Sequence, residues 1–413
     1  MAGVISTAGT GGGTADGATA IGTLHLPEWR TSTDSQTGRA LRQLTSAAAH
    51  NYPLYYFIET ITADNRYLIF HSERSGWVQL YRLDLHSGEI TQLSDGRTRD
   101  SGWAMWCEHR LRGIYNHLSA LNGPRREVYY FQDEELRATH LDSLGNRLVQ
   151  RLPGRISIGQ SGFSPDGRHY AFIHADRVLF QRALADKEAL ANMRQPVDHD
   201  RWRQDVPCVI GLIDTETGAY RDVMHVPFHI HHVFFIDNQR LLLNHLPHEN
   251  GMWSVRIDGS DEQVLRPRGE NGARGAICHN LITERGIFYE SNEFRDGERK
   301  VWIGHYDPAD GSFTEHPLPD VGYVHTGWDP AGLAHFYNNQ EGSARHQLLW
   351  VTHPFDARQE VTVLREMTPI VRGQRFHAHP FLGPERKWLY FTEVVDGFSQ
   401  ICALDVGDLT KAG

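Results

Sequence analysis

Residues 61–96 read ITADNRYLIFHSERSGWVQLYRLDLHSGEITQLSDG. The segment ITADNRYLIFHSE is patterned as strand, turn and strand, and VQLYRLDLHSGEITQLSDG continues with a third strand, a turn at Ser87-Gly88 and a fourth strand. Asx and glycine supply the positive φ that such turns need, while alternating apolar residues give each strand one face for a core between sheets. With the aromatic run before it, the unit spans Tyr55 to Gly96.

The module recurs along the chain. Copies run from Ser101 to Leu141, with the turn CEHRLRGIY; from Gly159 to Val223, opening FSPDGRHYAFIH and ending VIGLIDTETGAYRDV; and from His229 to Leu265, with FFIDNQRLLLNH and WSVRIDGSDEQVL. Three more run from Ile277 to Leu318, from Tyr323 to Leu364 and from Phe376 to about Val406. Seven such repeats predict an all-β fold, a seven-bladed β-propeller. A charged insertion at about 182–207, ending HDRWRQDVP, lengthens the third copy and is expected as a loop or short helix on one rim. The last copy stops after ICALDV without a fourth strand, whereas SQTGRALRQLT, from Ser35 to Thr45, is a turn and fourth strand without the other three. The N-terminal strand is therefore expected to complete the C-terminal blade, closing the ring and removing a sheet edge. Residues 35–408 would then be one domain behind a flexible tail, 1–34.

Composition narrows the function. Of 413 residues, 41 are Lys or Arg and 51 are Asp or Glu, a formal charge of -10, with no basic run; this argues against a nucleic-acid partner. Cys107, Cys208, Cys278 and Cys402 form no CxxC pair, so neither a disulfide framework nor a thiolate zinc site is expected, and the thiols read as reduced and mostly buried. The opening MAGVISTAGTGGGTADGATAIG has no basic and apolar leader pattern, and no stretch is long and apolar enough to span a bilayer, so a cytoplasmic protein without a membrane partner is the expectation. Its GTGGG follows no strand and precedes no helix, which excludes a phosphate loop, and no GxSxG elbow offers a serine nucleophile. FIHADR and VDHDRWRQD contain acid and base pairs of the kind that usually stay solvated on loops. Trp103, Trp106 and Trp328 are candidates for sugar stacking near the channel or for packing between blades.

Histidine is the outlier, with 25 residues. The starts of four successive copies carry it: His229, His231 and His232 in HIHHVFF, His279 in AICHNL, His325 in YVHTGW, and His377 with His379 in GQRFHAHPF. On a strand, His377 and His379 would project from one face about 7 Å apart, with Gln374 just upstream. Neutral imidazole suits a divalent transition ion, and the Gln374 amide oxygen adds a harder ligand. Without thiolate or carboxylate, such a site would keep the ion's full charge and attract an anionic substrate.

GQRFHAHPFL with LYFTEVVDGFSQICALDV resembles the last blade of the oligogalacturonate lyases, and AICHNLITERGIFYESNEF is similar to that family's Cys-x-His inner strand. The segment from Thr37 to Gly96 looks like the family's first blade. The resemblance is diffuse over residues 35–406 and sharp at the metal residues; FSPDG turns alone are shared with TolB-like propellers. It implies Mn²⁺, or another divalent cation, held by His279, Gln374, His377 and His379, and β-elimination from a uronate oligosaccharide. A histidine of HIHHVFF, assigned to His231 ahead of His229 and His232, would take the C5 proton while the C4 oxygen leaves.

One departure stands out. The family's arginine position falls at Val209 in PCVIGLIDTETG, and the following strand reads NHLPHENG, which keeps His245. His245 is carried as a second catalytic candidate, and Arg201, Arg203 and His248 as substrate-binding groups, with His325 beside them. The departure also admits a different uronic-acid oligosaccharide as substrate. The rival class is a TolB-like scaffold that binds glycan or protein without chemistry.

Overall fold

The computed structural model describes residues 20–98, 111–192, 206–244, 251–267, 275–295, 298–318, 323–329, 335–341, 346–355, 357–368 and 373–411. Among them, regular structure is almost wholly β, with one α-helix, Arg177–Asn192, and two short 3-10 turns. The strands form seven antiparallel sheets, and the fold is an all-β propeller. The sheets begin with Asn51–Pro53, Ala120–Asn122, Arg155–Ser157 (with Gly162–Phe163), His232–Phe235, Ala276–Thr283, Tyr323–Trp328 and Phe381–Leu382.

One turn chemistry recurs. The Asp84, Asp214 and Asp307 carbonyls each accept the amide of the glycine four residues on, Gly88, Gly218 and Gly311, at 2.7–2.9 Å. These glycines have φ of 78°, 73° and 73°, where a side chain would be strained. Asp34 and Gly38 form the same turn, at 2.8 Å with φ 72°.

Apolar clusters hand over from sheet to sheet. The largest runs from Ile69 and Leu80 through Tyr129, Phe172 and Ile210 to Val233 and Leu241. Leu242 and Tyr289 share the next, Phe288, Ile303 and Val351 the one after, and Trp350 and Phe391 a fourth. The ring closes where Phe70 and Tyr81 of the first full sheet meet Trp388, Tyr390 and Ile401 of the last. Burying so much aliphatic and aromatic surface between sheets is what a chain of short strands gains by repeating.

Several expectations are revised. Of the segment 1–34, residues 1–19 lie outside the described residues, but Leu24–His25 pairs with the outer edge of Ile90–Gln92, and Arg30–Thr33 forms a hairpin with Ala40–Gln43. Backbone pairing thus holds 24–33 against the propeller as added outer strands. In the first copy the initial strand is Asn51–Pro53, ahead of Tyr55. Ile61 keeps only an isolated bridge to Leu68, because Tyr55, Tyr56 and Phe57 leave the sheet to pack on channel histidines. The second copy extends past Leu141 to a strand at Asn146–Arg151. In the insertion, the helix starts at Arg177, Leu179 N–H donating to Asp176 Oδ1, and residues 193–205 lie outside the described set. Cys208 and Cys402 are free and buried; residue 107 lies outside the described set, as does the side chain at 278. No described helix is long and apolar enough to cross a membrane.

Candidate functional site

Histidines from neighbouring sheets meet where the first strands converge. His325, His377 and His379 each place a ring nitrogen within 4.8 Å of the others, and all three are buried. His325 lies on the strand Tyr323–Trp328. His377 and His379 follow a 3-10 turn, Gln374–Phe376, in irregular backbone, and His379 has φ 43°. The strand geometry expected for this pair is therefore replaced: the turn and the left-handed residue bring the ring centroids to 5.6 Å. His325 is 4.4 Å from His379 and 5.0 Å from His377 by the same measure. Imidazoles sharing one ion at nitrogen distances of about 2.1 Å have centroids roughly 4.5–5.5 Å apart.

Gln374 joins this group. Its Oε1 is 3.0 Å from His379 Nε2, close to the spacing of adjacent donors around one cation. The Nδ1 atoms of His377 and His379 are buried and have no hydrogen-bond partner among the described residues. Burial, and then the neighbouring His279, holds His377 down to about 3. Burial keeps His379 well below the usual imidazole range, with His377, His117 and His279 adding to it. Neutral rings with buried lone pairs and an amide oxygen fit a divalent transition ion.

His279 stands beside this group, its ring 5.2 Å from His325. Its Nδ1 is 2.7 Å from Glu290 Oε2, and both residues are buried. A carboxylate therefore sits behind the imidazoles, outside the set His279, Gln374, His377 and His379. Glu290 lies directly opposite His279 across the hairpin, so the signal was present in AICHNLITERGIFYE but needed the strand register to be seen.

HIHHVFF divides its roles. His232 reaches the centre, with centroids 6.4 Å from His279, 6.0 Å from Tyr55 and 4.8 Å from Phe57. His231 is also buried and packs on His229 at 4.5 Å and on His232 at 6.1 Å.

An aromatic loop from the first sheet crosses the cluster. Tyr55 contacts His379 at 4.9 Å, and Tyr56 contacts His279, His325 and His379 at 5.3, 5.2 and 5.5 Å. Neither was singled out in the sequence, where YYF is indistinguishable from core.

Arg375 was likewise overlooked, inside the very segment that carries Gln374, His377 and His379. Its Nη1 meets Glu73 Oε1 at 2.6 Å, and its charge, after burial, helps hold His50 down to about 4. Val209 is buried in the strand Cys208–Asp214, opposite His174 and His225. Trp328 is buried and forms a three-ring cluster with Phe288 and Phe355, at 4.2 and 5.5 Å, so it packs sheet against sheet. Arg201, Arg203, His245 and His248, with residues 103 and 106, lie outside the described residues.

Fold and site together define an all-β propeller with a buried group of imidazoles where its first strands converge. No family model matches the sequence, and no curated protein matches it. Among solved structures, the chain is similar to an oligogalacturonate lyase from Vibrio parahaemolyticus, with 17% identity and a TM-score of 0.75 over 94% of this chain and 99% of that one. It is also similar to a structure described as oligogalacturonate lyase in complex with manganese, with 18% identity and a TM-score of 0.76 over 94% and 98% of the two chains. At these identities the likeness is one of fold.

Proposed function

We propose that this chain is a metal-dependent lyase that cleaves short uronic-acid oligosaccharides by β-elimination, on a ring whose seven sheets serve as seven blades. The observation that carries the reading is the buried His325–His377–His379 group with the Gln374 oxygen beside it, on a fold shared with lyases of which one is described with manganese. Gln374, His377 and His379, with His279 beside them, would hold the ion, and His325 would flank it. When bound, the ion supplies positive charge to the substrate carboxylate and so acidifies the adjacent C5 hydrogen.

The residues do the rest. A neutral imidazole in the His231–His232 pair takes the C5 proton; the C–H electrons form the C4=C5 double bond as the C4–O bond breaks, and the departing oxygen takes a proton from water, the imidazolium returning its own to solvent. His231 is the residue the family resemblance assigns, and His232 is the one turned toward His279. Tyr55 and Tyr56 cover the imidazoles on one side and exclude water. Arg375 offers a cation close to the site, a role for which Val209 is unsuited.

The test is incubation with trigalacturonate and with oligoglucuronate, each with and without Mn²⁺, following the absorbance of the unsaturated uronate. A Mn²⁺-dependent rise with either substrate is expected. Flat traces with both would leave the reading without support and favour a scaffold that binds without chemistry.

A further inference from the structure

The strands Ala276–Thr283 and Gly286–Arg295 pair with a bulge between Ile277 and His279, which sets His279 directly across from Glu290. The carboxylate is 0% exposed and meets His279 Nδ1 at 2.7 Å through Oε2. Its Oε1 is buried and has no partner among the described residues. No described Arg or Lys forms an ion pair with it, whereas Glu315, on the same sheet, is matched by the buried Arg266.

A carboxylate buried this way is stabilised by a positive charge nearby. Beyond His279 lies His325, at 5.2 Å, and with it the group able to hold a cation. A hydrogen bond from one ring nitrogen to a carboxylate determines which nitrogen carries its lone pair outward.

We infer that Glu290 is a positioning residue for the metal site, holding His279 with Nδ1–H toward itself and Nε2 toward the ion, and supplying the buried negative charge that the ion balances. This rests on the metal reading above. It goes beyond it by adding a carboxylate to the cage and giving His279 a fixed orientation.

The experiment is titration of the full chain, freed of metal, with Mn²⁺ alone, by calorimetry and by the electron paramagnetic resonance of bound Mn²⁺. Glu290→Gln keeps the shape and removes the charge, and should weaken Mn²⁺ binding about 10–100-fold, the usual effect of losing a partner behind a ligand. His279→Asn keeps a donor for Glu290 but has no Nε2, and should weaken binding at least as much. It also serves should Glu290→Gln fail to fold. Combining the two should add little to His279→Asn alone. Melting without metal separates this role from a structural one, since Glu290→Gln should then be as stable as wild type or more so. Wild-type affinity in Glu290→Gln or in His279→Asn, while His379→Ala abolishes binding, would overturn this inference and leave the metal reading intact. Absence of Mn²⁺ binding by the wild type would overturn both.

Discussion

Leu41 lies directly opposite Leu404, and Gln43 opposite Cys402, so a strand from the beginning of the chain and one from its end share a sheet. Ionic contacts reinforce the junction. Arg365 reaches Asp34 and Glu393, whose side chains are 0% and 8% exposed, and Arg39 pairs with Asp408.

Arg365→Ala would leave two buried carboxylates without their cation, a loss of about 3–5 kcal/mol. Burial already raises Glu393, and Arg365 opposes that rise. Removing the arginine moves Glu393 further up, so the variant should recover stability on acidification and lose it as pH rises through the raised value. Denaturant unfolding at several pH values checks this, and a deficit independent of pH contradicts it.

His379→Ala removes a ring common to the nitrogen cluster, the Gln374 contact and the Tyr56 stack. Mn²⁺ binding by calorimetry should fall at least about 100-fold, exceeding the effect of removing a group behind a ligand. Chelation of the wild type should abolish turnover and lower the melting temperature without unfolding the ring, since Glu290 loses its balancing charge while the apolar clusters holding the ring do not involve these residues.

Acid should weaken the fold in a defined window. Burial lowers His71 to about 3 and His174 to about 4 from an ordinary 6.5. The unfolded chain takes up these protons first, so stability falls as pH drops from about 6.5 and the loss from these rings levels off below about 3. His71→Gln should flatten part of that slope in urea unfolding at stepped pH; an unchanged slope would rule His71 out as a contributor.

Arg375→Gln tests the guanidinium near the channel. His50, held at about 4 by burial and then by Arg375, should rise in the variant, as followed by its ring-proton shifts in NMR. If Arg375 also meets the substrate carboxylate, KM should increase about tenfold or more, with kcat less affected.

The repeat was legible because its causes are local. Asp84 to Gly88, Asp214 to Gly218 and Asp307 to Gly311 each build a turn within a few residues, and the alternation around them marks strands before any packing is known. The clustering of histidine at the starts of successive copies pointed to the channel for the same reason. Legibility ended where the chain left the periodic pattern, as at Tyr55–Phe57 and in the turn before His377.

Glu290 and His325 mark the boundary between the two kinds of information. Sequence alone determined the repeat, its complementary ends and the placing of histidine at the starts of successive copies, because turn preference and alternation act over a few positions. Which imidazoles meet, which carboxylate stands behind them and which aromatics cover them was decided only in three dimensions. Most of those contacts join separate sheets, that of Glu290 with His279 crosses one hairpin, and they depend on one bulge at Ile277–His279 and one left-handed residue at His379, where the direction of a side chain no longer follows from its place in the strand.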